Sequence, residues 1–354
     1  MTTICGLPRL AVEESMRQVM PTEADIETLA HAFARAAWTT LVEPGDRVAG
    51  RLISMCGAER ALQFLIDRFR ADEIVQECLA PEEIECESEL FIEDLAEGIM
   101  RWQPRLSSGD VLNAVIHAAG LGAFLLTPEQ DTWPRGLRDL ELHAPVALWA
   151  RGQRAALSGF DHSLAVVGAR ASTGYGEHVT METVSAIAER GVSIVSGAAY
   201  GIDGMAHRSA LAVGGTTMAF LAGGVDRFYP SGHDALLGRI METGVVLAEA
   251  PCGYAPTKWR FLLRNRLIAA STQATVVMEA GWRSGSLNTA NHAASLGRPL
   301  GVVPGPVTSA ASAGCHRLLR EYDAMCVTTA SEMLELLPGQ PAALSESERQ
   351  ESAE

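Results

Sequence analysis

Four cations and no acid fall within the nine residues Lys258-Trp259-Arg260-Phe261-Leu262-Leu263-Arg264-Asn265-Arg266, and Lys258 is the one lysine of the whole chain. Guanidinium groups interleaved with aromatic rings suit phosphates and the flat bases attached to them. A further arginine, Arg170, directly follows the apolar run "SLAVVGA", where it makes a fixed cation for a phosphate. Two Ser/Gly turns complete the set. Ser196 and Gly197 in "SGAAYGID", and Ser284, Gly285 and Thr289 in "SGSLNTA", stand ahead of or within the first turns of helices. Both turns can direct backbone N–H groups at an anion.

Groups suited to making or breaking bonds are scarcer. Glu279 follows an apolar run and is the one acid placed to act as a base or a sugar-binding group. It has no evident nucleophile beside it, and no GxSxG, HExxH or Walker sequence occurs. A dinucleotide fold needs GxGxxG, but Gly168 is followed by Arg170, and Gly174 and Gly176 come too late. The next apolar run ends on Ser196 rather than on an acid. No nicotinamide, flavin or other cofactor is therefore expected. Seven scattered cysteines without CxxC spacing imply reduced, packed thiols and no metal. Asp203 reads as a helix N-cap or as an acid that orients a functional cation such as Arg170, and His207 reads as structural.

These residues are carried by a repeating pattern. From residue 163 onward, apolar runs of five to seven residues alternate with amphipathic stretches of about 12, the signature of βαβ units and of a parallel sheet buried on both faces. The fold class expected is α/β, a Rossmann-like doubly wound and mostly parallel sheet over 159–337. Ligands in such sheets lie beyond the carboxyl ends of the strands, where the residues above fall. Thr257 is expected to open the basic helix, with Arg260 and Arg264 at i and i+4 on one face and Phe261 turned to the core.

Upstream, "TEADIETLAHAFARAAWTTLV" with a Thr N-cap, "GAERALQFLIDRF" and "SSGDVLNAVIHAAG" read as amphipathic helices. A helical accessory domain is expected over 1–125, a Pro-punctuated lead-in or linker over 126–158, and an acidic, disordered tail over 338–354. Charge follows this division. The chain carries −15 overall, but residues 1–160 hold 25 acids and 14 bases (−11), whereas 161–335 hold 14 acids and 13 bases (−1). The second region is free to present a basic face. With no apolar run of 18 residues and no leader-like N-terminus, a cytoplasmic protein with no membrane segment is expected.

The motifs also stand in a distinctive order: "VVGAR…YG", "SGAAYGID", "FYP", "RNRLIAAS", "VVMEA…SGSLNTA", then "VVPG" and "GCHRLL". In this order they resemble the DprA/Smf family of DNA-processing proteins over about residues 130–335. The resemblance implies a non-enzymatic protein that binds and protects single-stranded DNA in natural transformation and loads the RecA recombinase onto it. It implies DNA contacts from Arg170 and from the Arg264-Asn265-Arg266 helix, and a homodimer formed through residues 314–337. Three departures stand out. Ala169 replaces the usual Ser or Thr, Ser231 and His233 replace the usual Lys and Asn after Tyr229-Pro230, and the residues beyond 335 are too few for the winged helix that often follows. Lys258 and Arg260 are the expected substitutes for the missing lysine, and Trp259, Tyr229 and Phe228 the candidate stacking platforms. A weaker likeness, to nucleoside-monophosphate ribohydrolases with PGGxGT…E at the strand carrying "MEAGWRSGSLNTA", keeps a nucleotide-binding enzyme or sensor acting through Glu279 as the alternative.

Overall fold

Capping and amphipathic spacing decide where the front helices run. The computed structural model describes residues 3–4, 6–78 and 86–338. A two-stranded ribbon, β1 (Thr3–Ile4) and β2 (Leu7–Pro8), leads into α1 (Arg9–Met16), α2 (Ile26–Leu41), α3 (Arg47–Cys56), α4 (Ala58–Ile66), α5 (Ala71–Cys78), α6 (Cys86–Trp102) and α7 (Ser108–Gly120). The N-cap of α2 is Asp25, whose carboxylate accepts from Thr28 N at 2.8 Å, rather than the threonine expected from the sequence. A carboxylate three residues ahead of a free N–H outcompetes a hydroxyl one turn earlier. Leu29, Ala32, Phe33, Ala36 and Leu41 of α2 are buried, and Trp38 meets Trp102 edge to face at 5.4 Å.

The remaining strands form one nine-stranded sheet. In chain order they are β3 (Phe124–Leu126), β4 (Leu148–Gly152), β5 (Ser163–Val167), β6 (Ser193–Ser196), β7 (Thr217–Leu221), β8 (Val245–Ala248), β9 (Ala274–Val277), β10 (Leu300–Val302) and β11 (Met325–Cys326). The lateral order is β11-β10-β9-β5-β6-β7-β8-β4-β3. Strands β5 to β11 pair in parallel, and β4 and β3 add an antiparallel edge beside β8. The mostly parallel, doubly wound sheet expected from the alternation of runs is present. The stretch 126–158 is not a linker, because Leu148–Gly152 pairs along Val245–Ala248 and completes that edge.

Helices α8 (Gly174–Ala188), α9 (Ile202–Ala212), α10 (Asp234–Thr243), α11 (Lys258–Ser271), α12 (Ser286–Ser295), α13 (Ala313–Glu321) and α14 (Ala330–Glu335) connect the strands. Each of β5 to β10 is buried along its whole length. Alternate residues feed opposite layers: Ala165 and Val167 pack with Leu267, Ile268 and Ala290 of α11 and α12, whereas Leu164 and Val166 pack with Val184, Ile187 and Ala206 of α8 and α9. The front helices extend this second layer, since Phe33, Trp38 and Leu52 share one core with Trp149, Ala219, Leu221 and Val246. The acidic tail falls outside the described residues from 339 on, as do residues 79–85 of the acid-rich front stretch.

Candidate nucleic-acid interface

Chain order creates the crevice. From β5 the connections step through β6, β7 and β8 in one direction, then return to place β9 on the other side of β5. Two adjacent parallel strands whose connections leave in opposite directions open a gap beyond their carboxyl ends. A cavity of about 610 Å³ lies there, lined by Gly168 to Ala171 after β5, by Phe261, Arg264 and Asn265 of α11, and by Arg283 to Ser286 and Thr289 at the start of α12.

Thr257 does cap α11, accepting from Arg260 N at 3.2 Å. The helix presents Phe261, Arg264, Asn265 and Ile268 to the cavity, an i, i+3, i+4, i+7 face. Arg264 is 5% exposed. Its Nη1 donates to the carbonyls of Gly197 (2.8 Å) and Phe220, and its Nε donates to Asn265 Oδ1 at 3.2 Å. All three acceptors are neutral, and Nη2 has no protein acceptor among the described residues. Burial pulls the guanidinium down to about 10, opposed by the field of Asp203 and reinforced by Arg170. The carboxyl of Asp203 is raised by its own burial, against the pull of Arg264 and the backbone N–H groups of Ala199, Gly168 and Gly197. Gly201, not Asp203, is the N-cap of α9. Asp203 thus faces a cation, but that cation is Arg264.

Arg170 is exposed at the cavity mouth, with its guanidinium carbon 4.9 Å from the centre of the Phe261 ring. The ring of Tyr229 also packs against Phe261, tilted, with centroids 5.3 Å apart. Cation, ring and ring therefore form one short track. Phe261 is therefore not the core residue expected from the sequence; its i, i+3, i+4 spacing with Arg264 and Asn265 is the signal that it shares their face. Asn265 ties the track to α12 by donating to Gly285 O (3.3 Å) and Asn288 Oδ1 (3.2 Å). Ser284 and Ser286 share a hydroxyl contact of 2.8 Å, and Thr289 is buried at the cavity wall. Lys258 and Trp259 are exposed on the first turn of α11, Trp259 by 64%, so Trp259 is not a core residue.

Four expected residues stand elsewhere. Arg266 is 4% exposed and points away from the cavity, pairing with Glu249 at 2.8 Å, because 200° of helical rotation separates it from Arg264. Arg260 makes a fork to Glu43, both contacts at 3.0 Å. Ser196 is buried within the sheet, its hydroxyl donating to Val166 O at 2.6 Å. Phe228 packs on the front core beneath Arg151, 5.6 Å from guanidinium carbon to ring centre. Ser196 is the last residue of β6, and of the expected pair only Gly197, just beyond the strand, touches the site, through Arg264.

The acid that a nucleotide hydrolase would use is occupied. Glu279 is 2% exposed and accepts from Thr173 N (2.8 Å) and Thr173 Oγ1 (2.6 Å), which anchors the start of α8. His207, also buried, contacts Thr217 Oγ1 at 2.7 Å through Nδ1, and burial drives its pKa down to about 3. Among the described residues no group of three or more His, Cys, Asp or Glu side chains is placed to hold a metal. No helix among them is long and apolar enough to cross a membrane.

A doubly wound, mostly parallel sheet with a cationic, aromatic-rimmed crevice at its switch point defines a Rossmann-like α/β protein. The family model for DNA recombination-mediator protein A matches residues 124–338, and the chain belongs to that family. A Mycobacterium tuberculosis relative named for DprA is 50% identical over 226 residues, covering 61% of this chain and 58% of the relative. The Smf protein of Escherichia coli is 40% identical over 194 residues, 54% of this chain and 51% of that protein. The chain thus aligns with little more than half the length of these relatives. The crystal structure of Streptococcus pneumoniae DprA superposes with a TM-score of 0.65 at 27% identity, covering 86% of this chain and 97% of that one. A Helicobacter pylori DNA processing protein A, described for its single-stranded DNA binding mode, superposes with a TM-score of 0.53 at 27% identity over 60% of this chain and 94% of that one.

Proposed function

We propose that this protein binds single-stranded DNA in the crevice above β5 and β9 and acts as a recombination mediator rather than as an enzyme. The observation that carries the reading is Arg264: a buried guanidinium whose protein acceptors are all neutral, opening on a cavity with a second cation at its mouth. Asp203 shares the cavity lining but makes no ion pair with Arg264, and a phosphate supplies the direct charge-assisted partner that this buried cation lacks. Arg170 binds a neighbouring phosphate, while Phe261, Tyr229 and the exposed Trp259 offer surfaces for bases, each stack contributing roughly 1–3 kcal/mol. Nothing in this arrangement reads base edges, which suits a protein that takes strands of any sequence.

Handing the strand to RecA and pairing with a second copy through residues 314–337, at the β11 edge of the sheet, belong to the same proposal. The Helicobacter relative supports the DNA assignment through its described binding mode. Titration of labelled single-stranded and duplex oligonucleotides of equal length, followed by anisotropy, tests it. Preference for the single strand is expected; equal affinity for duplex would count against a crevice sized for one strand.

A further inference from the structure

We infer that the turn between α2 and α3, residues 42–46, is a positioning element that sets α11 in the crevice, with Glu43 and Gly45 as its positioning residues. The inference rests on the single-strand reading above and gives the helical front segment a part in it.

Two arginines of the basic stretch are held from behind. Arg260 donates from Nε and Nη2 to the two oxygens of Glu43, each at 3.0 Å, and from Nη1 to Ala255 O at 2.9 Å. Its guanidinium lies 5.0 Å from the ring centre of Tyr254, whose hydroxyl donates to Thr40 O at 2.9 Å. Arg105 approaches the same carboxylate at 3.3 Å. Arg266 donates to Glu249 Oε1 (2.8 Å), His143 O (3.1 Å) and Leu263 O (2.9 Å). The turn closes over it, because Gly45 N donates to Glu249 Oε1 at 3.0 Å and His143 Nδ1 lies 3.0 Å from Gly45 O. Gly45 has φ +73°, and a Cβ there would stand 3.1 Å from the Arg266 guanidinium.

Each of the three guanidinium nitrogens of both arginines thus donates to the protein, and each cation is already matched by a carboxylate, Glu43 or Glu249. Their placement gives them another use. Six residues apart, they lie about 9 Å apart along the helix and about 120° apart around it. Two anchors so separated fix both the tilt and the rotation of α11. Arg264, between them, is thereby aimed into the cavity. The binding cation is on the sheet domain, and one of the two anchors of its helix, Glu43, comes from the front segment, 217 positions from Arg260, while Gly45 of the same turn braces Glu249, the partner of Arg266.

Charge reversal in the full-length protein separates positioning from direct contact. With fluorescein-labelled oligodeoxythymidine as probe, Glu43→Arg and Arg260→Glu are each expected to weaken binding about tenfold. The double variant is expected to return to within about threefold of the wild type, with the same salt dependence. Glu43→Gln, a milder change, is expected to weaken binding about threefold and covers the case in which a reversal does not fold. A double variant as weak as Arg260→Glu would make Arg260 a phosphate contact and overturn the inference. So would Glu43→Gln or Glu43→Arg binding as tightly as the wild type. Wild-type protein that does not bind the probe would remove the single-strand reading itself, and the inference with it.

Discussion

The carbonyl of Gly197 accepts from Arg264 Nη1 at 2.8 Å, and a Cβ on Gly197 would stand 2.2 Å from that same nitrogen. The guanidinium lies where a side chain at 197 would be. Gly197→Ala should push Arg264 out of its seat at a cost of about 1–3 kcal/mol in folding stability. Oligonucleotide affinity should fall about tenfold or more, because the displaced cation no longer meets the phosphate. Urea denaturation and anisotropy on the same variant measure the two effects, and unchanged affinity would show that the seat of Arg264 is immaterial to binding.

Arg266, two positions from Arg264, should show its role first in folding stability. Arg266→Ala leaves Glu249 buried beneath the 42–46 turn without its cation, which should cost about 3–5 kcal/mol of stability. A loss under about 1 kcal/mol in urea melts would contradict a clamp there.

At the cavity mouth, cation and ring should separate by their salt response. Arg170→Ala should weaken binding and reduce the slope of log affinity against log salt by about 0.7, as expected for one phosphate contact to a single strand. Phe261→Leu should lose about 1–3 kcal/mol of binding with the slope unchanged. If both variants altered the slope equally, Phe261 would be acting only through Arg170, 4.9 Å away.

His207 gives stability a dependence on pH. Its pKa is about 3 in the fold against an ordinary histidine value of 6.5. Below about 6.5 the unfolded chain takes up a proton that the fold refuses, so stability falls with pH, by at most about 1.4 kcal/mol per unit toward pH 3. His31, raised chiefly by its hydrogen bond to Glu129, pulls the other way but is common to both proteins compared. Urea midpoints measured between about pH 7 and 5.5 should decline less steeply in His207→Gln than in the wild type. Parallel declines would contradict a neutral buried ring.

Local pattern carried most of the sheet. Runs such as Leu164–Val167 and Val245–Ala248, buried on both faces, announced parallel strands, and Thr257 announced the start of α11. The antiparallel edge was hidden, because Leu148–Gly152 sits in a Pro-punctuated stretch without a helix to pair it with another run. At the site, spacing gave the face of α11 but not what faces it. Arg260 and Arg264 are i and i+4, yet one meets a carboxylate from the α2–α3 turn and the other a cavity. No periodicity reports a partner 217 residues distant. Ser196 and Gly197 show the limit in miniature: the serine ends β6 with its hydroxyl bound inside the sheet, and only the glycine just beyond it, through its carbonyl, takes part.

The most direct test is the salt dependence of oligodeoxythymidine binding for the wild type, Arg170→Ala, Arg264→Ala and the two combined. Binding in the crevice requires a steep negative slope in the wild type, a slope shallower by about 0.7 for each arginine removed, and near loss of binding in the double variant. Wild-type affinity and slope retained in the double variant would place the DNA elsewhere on the protein.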